Sequence, residues 1–166
     1  MVAGSTPAPA ASQWRVRCSG TVRLPSGTTA PLALFTPEGE RAWAAGWDPR
    51  YLAPVTDDSE PGTVFQTGHG PPAGTWVVTG REPGRSVRYA RVIAGQDAGT
   101  VTVTLDSGGP GSGGPGSGGP AGGTQVTVSY DLTALSEAGA AHLARFAASY
   151  PEFLAHWEQA IAAAAR

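Results

Sequence analysis

Lysine is absent from this sequence, and cysteine is nearly absent. All 11 basic residues are arginine, which excludes Schiff-base chemistry and lysine general bases. The single cysteine, Cys18, cannot form an internal disulfide, so nothing indicates a secreted, cross-linked scaffold. A chain of 166 residues is long enough to bury one core without covalent staples. We therefore expect a single domain in a reducing, cytoplasmic environment.

Long apolar runs and clustered charge are also missing. No stretch approaches the roughly 18 apolar residues that cross a bilayer, and residues 1–13 lack the basic and apolar segments of a signal peptide. The net charge is -2 and the arginines are scattered, so neither nucleic acid nor membrane insertion is expected. Residues 1–13 are predicted to form a disordered tail before one domain over 14–166.

The sequence has no arrangement that is typical of a metal or cofactor site. His142 and His156 belong to one helical segment but lie about 21 Å apart along its axis, too far to share a metal. No Cys–His zinc spacing and no G-x-S-x-G elbow occurs. A G-x-G-x-x-G match at 111–116 lies in a Gly/Pro/Ser repeat that precedes a strand, whereas a dinucleotide site opens a helix. No metal and no cofactor is predicted.

Alternation of apolar and polar residues predicts about six strands. They span residues 14–24, 63–67, 75–80, 86–93, 99–105 and 124–132. The last has the clearest pattern, since Val126, Val128 and Tyr130 share one face with polar residues between them. The short connections between most strands indicate antiparallel neighbours. Between the last two strands, the five-residue repeat within 107–123 has no apolar side chain to pack and is predicted to be a flexible hairpin tip.

Helical signals occur in two places. Two short helical turns are expected between 31 and 47, with Thr36 as N-cap and Pro37 in the first helical position. From Ser136 onward, apolar residues recur at three- and four-residue steps and predict one long C-terminal helix. Its apolar stripe contains Leu143, Phe146, Ala147, Tyr150, Leu154, Trp157 and Ile161.

Pro151 interrupts this stripe. Because proline removes a helical hydrogen bond, a kink or a restart is predicted near Tyr150. Ser149 and Glu152 have the spacing of a capping box that would begin the second helix.

The order of these elements, a strand, two short helices, a run of strands and a long helix, resembles the helix-grip superfamily called SRPBCC or START-like. The segment LFTPEGERAWAAGWDPRYLAP, with 62–67, 75–80, 128–143 and 153–161, resembles uncharacterised bacterial SRPBCC proteins. The resemblance implies an α+β helix-grip fold, a curved antiparallel sheet wrapped around a long C-terminal helix. It also implies an apolar cavity between sheet and helix, which relatives use for lipid transfer, hormone binding, polyketide cyclisation or chaperone contact.

Six residues are candidates for lining such a cavity. Trp76, Tyr89 and Tyr130 occupy inward positions of their strands and combine apolar bulk with a polar tip. On the helix, Ala147 is small enough to leave room opposite them, and Tyr150 and Trp157 share its stripe. The alternative for the aromatic residues is ordinary core packing.

Three residues are weak candidates for catalysis: Asp48, His69 and Tyr130. Asp48 precedes Pro49, so it is either partly buried or the first residue of an Asx turn. His69 lies in a turn after a strand, near a cavity mouth or in solvent. Glu38 and Glu40 are interpreted as charges at a helix N-terminus, and Asp57, Asp58 and Glu60 as a solvated loop.

The sequence leaves the function open between classes. The first hypothesis is a carrier of a small hydrophobic molecule such as a lipid, a fatty acid or an aromatic polyketide. The alternative is a polyketide cyclase- or dehydrase-like enzyme that uses the same cavity, for which two or more convergent polar groups would be needed. A domain that binds a protein partner is the third hypothesis.

The composition of the repeat predicts that the domain folds without it. Replacement of residues 107–123 by a short Asn-Gly turn should raise the free energy of unfolding by about 1 kcal/mol, because loop closure becomes less costly. Thermal unfolding of the two proteins checks this, and a midpoint lowered by several degrees would mean that the repeat is packed.

Overall fold

Seven antiparallel strands and three α-helices form the computed structural model, which describes residues 14–68, 72–106 and 124–166. The strands are β1 (Arg15–Arg23), β2 (Arg50–Tyr51), β3 (Val64–Thr67), β4 (Gly74–Glu82), β5 (Ser86–Ile93), β6 (Asp97–Leu105) and β7 (Gln125–Ala134). The helices are a 3-10 helix (Pro31–Phe35), α1 (Pro37–Glu40), α2 (Glu137–Ala148) and α3 (Tyr150–Ala164). The predicted α+β helix-grip architecture is confirmed.

The strand order β1-β7-β6-β5-β4-β3-β2 places β1 and β2 at opposite edges of the curved, unclosed sheet. The connection from β1 to β2 must therefore travel from one edge to the other, and it carries the 3-10 helix and α1. The prediction of about six strands missed β2, a two-residue strand opposite Phe65 and Gln66 of β3. Two residues are too few to show alternation.

The core lies on one face of the sheet, as the alternation predicts. Val126, Val128, Tyr130 and Leu132 of β7 are all buried, and polar residues between them face outward. At the edge, β1 packs against α3 so closely that a Cβ at Gly20 would lie 2.5 Å from Cδ1 of Leu154. A side chain at position 20 would force the end of the Leu154 side chain to move.

The C-terminal helix restarts where Pro151 predicts it, since α2 ends at Ala148 and α3 begins at Tyr150. Pro151 lies in the first turn of α3, where a backbone N–H has no helical partner to lose. The predicted capping box is wrong. The Ser149 hydroxyl makes no cap and instead donates to the carbonyl oxygen of Arg145, 3.0 Å away.

No described helix combines the length and apolar character that crossing a membrane requires.

Trp157 joins α3 to the segment between β1 and β2. Its ring centroid lies 5.1 Å from that of Trp43, 6.2 Å from that of Phe35 and 4.7 Å from that of Phe153. Because these contacts fix α3 on the 3-10 helix region, Trp157 contributes to the core although it is partly exposed.

Truncation of this indole should be costly. We expect Trp157→Ala to lower the free energy of unfolding by about 3 kcal/mol, through lost apolar contact and the cavity that remains. Gln159→Ala, at an exposed position of the same helix, should change it by less than about 0.5 kcal/mol. Denaturant titration measures the free energy of unfolding of both variants. Equal effects would contradict the assignment of Trp157 to the packed face of α3 and of Gln159 to the exposed face.

Candidate functional site

A cavity of about 350 Å³ lies between the sheet and the elements that cover it. Strands β3 to β7 supply one wall, and α1, the loop after it and α3 supply the other. The lining side chains are mostly aromatic or apolar, among them Phe35, Trp47, Phe65, Trp76, Tyr89, Val101, Val103, Tyr130, Phe153 and Trp157. This is the composition of a small-molecule site rather than of a polar cleft.

Aromatic rings that contact one another build the walls. Phe65 of β3 stacks on Trp76 of β4, with ring centroids 5.9 Å apart and an interplanar angle of 5°. Trp47, from the loop after α1, meets Trp76 edge to face at 5.7 Å. Each ring therefore supports another, which makes the wall rigid.

The polar tips of three wall residues are bonded within the protein. Trp76 Nε1 donates to Thr67 Oγ1 at 2.9 Å, Trp47 Nε1 donates to the Pro37 carbonyl at 2.9 Å, and the Tyr89 hydroxyl donates to the Phe35 carbonyl at 2.9 Å. These hydrogen bonds fix the orientation of the rings. Trp47, Trp76 and Tyr89 thus offer the cavity mainly their apolar surfaces.

Glu40 is the exception in this apolar wall. It is the last residue of α1 and lines the cavity, and its carboxyl has no hydrogen bond or ion pair with any described residue. Burial raises the pKa of this carboxyl well above its ordinary value of 4.5. Glu40 is therefore a neutral acid over a wider pH range than an exposed glutamate, and a neutral carboxyl can donate a hydrogen bond.

Tyr130 of β7 also lines the cavity, and its hydroxyl has no hydrogen-bond partner among the residues that the structure describes. Burial raises its pKa, the nearby Glu40 raises it further, and Arg91 opposes the rise. The hydroxyl is therefore a donor throughout the physiological pH range.

Arg91 of β5 brings a positive charge to the cavity, but that charge is already paired. Its Nη2 lies 2.6 Å from Oδ1 of Asp97, a fully buried residue at the start of β6. Its guanidinium lies over two rings, 5.5 Å from the centroid of Trp76 and 5.8 Å from that of Tyr130. The pair and the two rings hold Arg91 against the wall.

Comparison with known proteins identifies the architecture. No family model and no curated protein matches the chain. An uncharacterised protein from Rhizobium leguminosarum has a TM-score of 0.58 at 14% identity, covering 89% of this chain and 94% of its own. Norcoclaurine synthase from Thalictrum flavum, solved with dopamine and hydroxybenzaldehyde, has a TM-score of 0.57 at 9% identity, covering 97% and 94%.

DynU16, a protein of the dynemicin biosynthetic locus, has a TM-score of 0.51 at 19% identity over 91% of this chain, which spans 47% of DynU16. These neighbours share the SRPBCC, or polyketide cyclase-like, fold. This chain shares their helix-grip fold. At such low identities the likeness shows the fold alone, and no residue role is carried over.

Within this helix-grip fold, four of the six predicted ligand-binding residues line the cavity: Trp76, Tyr89, Tyr130 and Trp157. Ala147 lies on α2 and Tyr150 at the start of α3, and neither is among the lining residues. The expectation that Ala147 makes room for a ligand is therefore not what the structure shows. The cavity lies against Phe153 and Trp157 instead, while ligand binding by any of these residues stays a prediction.

The three catalytic candidates are not brought together. Asp48 is bonded to Arg41 at the protein surface, with 45% of its side chain exposed, and it does not line the cavity. His69 lies outside the described residues. Only Tyr130 lies at the cavity. In the described part of the chain, no group of three His, Cys, Asp or Glu side chains could hold a metal ion.

Sequence analysis did not place the two charged residues among the lining residues, Glu40 and Arg91, at the cavity. Both Glu38 and Glu40 lie in the first turn of α1 as predicted, but only Glu38 is exposed and pairs with Arg41, whereas Glu40 lines the cavity. Residues two apart on a helix point about 200° away from each other, so the two glutamates could not share an environment. Strand alternation could have predicted the position of Arg91, because a residue two positions after Tyr89 lies on the same inward face of β5.

The raised pKa of Glu40 predicts how stability changes with pH. Between 4.5 and the higher pKa of the folded state, the folded protein keeps a proton that the unfolded chain releases. The free energy of unfolding should therefore fall as pH rises through this window, by up to about 1.4 kcal/mol per pH unit from this group. Glu40→Gln removes this contribution, so its stability relative to the wild type should increase with pH.

Urea unfolding of both proteins from about pH 4 to about pH 9 measures the difference. Glu38→Gln, on the exposed side of α1, is the matched control and should follow the wild type. A difference between Glu40→Gln and wild type that does not vary with pH would show that Glu40 has an ordinary pKa.

Proposed function

We propose that this protein binds a small, predominantly aromatic molecule in the cavity between the sheet and the helices. The observation that carries the proposal is the cavity itself, about 350 Å³ in volume and lined largely by aromatic rings. Its volume lies at the small end of the range of about 300 to 1,000 Å³ that is typical of ligand sites. A ligand of one or two rings fits this size.

The space is not readily explained as imperfect packing. Protein interiors are close-packed, and voids larger than a water molecule are few. Here Trp47 and Tyr89 are tied to backbone carbonyls of the segment above the sheet, and Trp76 is tied to β3. Because these bonds would break if the rings moved inward, the walls cannot simply collapse into the space. A ligand that fills it would restore the missing dispersion contacts.

The energetics favour binding without a charged contact. A ligand that buries about 300 Å² of apolar surface gains roughly 7 kcal/mol before the costs of immobilisation, which leaves room for micromolar affinity. Since burial of apolar surface drives this association, binding should carry a negative heat-capacity change. It should also be nearly independent of salt.

The structural neighbours support an aromatic ligand only at the level of the fold. The norcoclaurine synthase structure holds dopamine and hydroxybenzaldehyde, two single-ring molecules, so a helix-grip protein of similar extent can accept such rings. At 9% identity, this does not determine which aromatic molecule the present chain binds.

A proton-transfer enzyme of the polyketide cyclase or dehydrase kind is the second candidate. The observation that favours it is the presence of a neutral carboxyl, Glu40, and a tyrosine hydroxyl, Tyr130, in one apolar cavity. Acid–base catalysis needs such convergent polar groups, with a pKa moved towards neutrality. This candidate uses the same cavity and adds turnover to binding.

Binding is tested with an environment-sensitive hydrophobic dye, followed by competition with aromatic ketones and fatty acids. We expect saturable, one-to-one dye binding that aromatic compounds displace. Ala44→Phe places a ring in the cavity wall and should weaken dye binding by about ten-fold, because the ring occupies ligand space. Ala148→Phe, at an exposed position of α2, is the matched control and should bind like the wild type. A folded protein that takes up neither dye nor competitor would remove both the binding and the enzyme proposals.

A further inference from the structure

The polar groups of the cavity divide into bonded and free ones. The tips of Trp47, Trp76 and Tyr89 are hydrogen-bonded within the protein, and Arg91 is paired with Asp97. Structural roles therefore account for these five residues.

In the described part of the chain, three lining residues keep a polar group without a protein partner: the Glu40 carboxyl, the Tyr130 hydroxyl and the Trp157 indole N–H. Trp157 is held by its ring contacts with Trp43 and Phe153, so its position needs no ligand. The ring of Tyr130 also packs against Phe146, Tyr150 and Phe153, but no described residue bonds its hydroxyl, and none bonds the Glu40 carboxyl. A polar group that faces an apolar cavity without a protein partner is poorly solvated there, and a ligand that bonds to it would recover free energy.

We propose that the Glu40 carboxyl and the Tyr130 hydroxyl form the polar end of the binding site and donate hydrogen bonds to a carbonyl oxygen of a neutral aromatic ligand. This inference rests on the proposed function and adds the chemical class of the ligand. It also makes ligand affinity depend on the protonation of Glu40.

The surroundings of Glu40 favour the neutral form of its carboxyl, because burial raises its pKa. From β5 it is faced by Tyr89 and Arg91, and from β7 by Tyr130, while α3 presents only uncharged aromatic side chains to the cavity. Both tyrosines are neutral because burial raises their pKa values. The charge of Arg91 is compensated by Asp97 of β6. Among the described lining residues, no unpaired cation therefore remains to stabilise an ionised Glu40.

On α1 itself, the other charges point to solvent. Glu38 pairs with Arg41 at 2.9 Å, and both side chains are at least 40% exposed. Their influence on the cavity is screened by water.

The same arrangement disfavours charged ligands. An aromatic wall with a carboxyl could hold an amine cation by cation–π contact, but the guanidinium of Arg91 already lies over the Trp76 and Tyr130 rings. An anionic ligand finds no free cation, because Asp97 occupies Arg91. A neutral ligand with a hydrogen-bond acceptor is what remains, and a carbonyl oxygen accepts two donors through its two lone pairs.

Three probes with the same ring system test this chemistry: 2-acetylnaphthalene, 2-ethylnaphthalene and 1-(2-naphthyl)ethylamine. They present a neutral acceptor, no polar group and a cation, respectively. Dissociation constants are measured by competition with the bound dye. At acidic pH we expect the ketone to bind at least about five-fold more tightly than the hydrocarbon, and more tightly than the amine, because only the ketone accepts the two hydrogen bonds.

Substitutions assign the preference to the two side chains. Glu40→Leu and Tyr130→Phe should each reduce the preference for the ketone over the hydrocarbon by about three-fold or more, since each removes one donor. Glu40→Gln retains an N–H donor and should keep the preference. Glu38→Gln, the control on the exposed side of α1, should leave all three affinities unchanged.

The pH dependence separates this proposal from simple apolar binding. As pH rises through the pKa of Glu40, its carboxylate loses the proton that it donates, so the affinity for the ketone should fall while that for the hydrocarbon changes less. In Glu40→Gln the affinity for the ketone should not vary with pH. His69 follows the lining residue Gly68 in sequence, and histidine is the residue type whose ordinary pKa lies nearest neutrality, so His69→Gln is included, and it should retain the pH dependence of the wild type.

The pKa of Glu40 can also be measured in the wild-type protein, so the test does not depend on variants that fail to fold. Carbon-13 NMR of the glutamate carboxyl carbons follows each titration directly in the wild-type protein. We expect one carboxyl to titrate well above the others, and addition of 2-acetylnaphthalene should raise its pKa further because the ligand binds the protonated form.

The outcomes distinguish the two proposals. If the dye and all probes fail to bind, the proposed function is wrong and this inference falls with it. If the dye binds but the ketone has no advantage over the hydrocarbon, or the pH dependence persists in Glu40→Gln, only the inference is overturned. Stronger binding of the amine at every pH would likewise overturn it, in favour of a site for aromatic cations.

Discussion

Three hydrogen bonds from aromatic side chains to backbone carbonyls fix the segment on which the site depends. The indole N–H groups of Trp43 and Trp47 donate to the carbonyls of Leu34 and Pro37, and the Tyr89 hydroxyl donates to that of Phe35. The segment crosses from one sheet edge to the other and has only a 3-10 helix and one turn of α-helix to hold its shape. Helices this short are not stable alone, so these tertiary bonds set where the cavity wall lies.

The position of Glu40 follows from that anchoring. Thr36 begins α1, its hydroxyl oxygen accepting a hydrogen bond from the Gly39 N–H at 3.1 Å, and the single turn that follows directs Glu38 to solvent and Glu40 to the cavity. A carboxyl in an apolar cavity lowers stability whenever it is ionised. Residues held at such a cost are characteristic of functional sites, which is why the cavity rather than the surrounding core is the place to look for activity.

The sequence predicted the sheet well because its strands are long and half-buried, so that period-2 alternation was visible in β1 and in β7. It also predicted the helix restart at Pro151 and the cap at Thr36, which depend on local chemistry. It could not predict where the cavity lies along the helical segment, because that depends on which part of the stripe meets the connection between β1 and β2. Ala147 was chosen for its small size, whereas the cavity is bounded by the larger side chain of Trp157. Volume is a property of facing elements rather than of one residue.

The protonation of Glu40 depends on a residue that does not line the cavity. Asp97 is completely buried at the start of β6 and binds the guanidinium of Arg91 through the same oxygen at 2.6 and 3.2 Å. Without this carboxylate, Arg91 would bring an uncompensated charge to the cavity that Glu40 also lines, which would favour an ionised Glu40 that can only accept hydrogen bonds. Asp97 therefore acts on the site through Arg91. By neutralising the arginine it leaves Glu40 without a counter-ion, and the carboxyl that results can serve as a donor to a ligand.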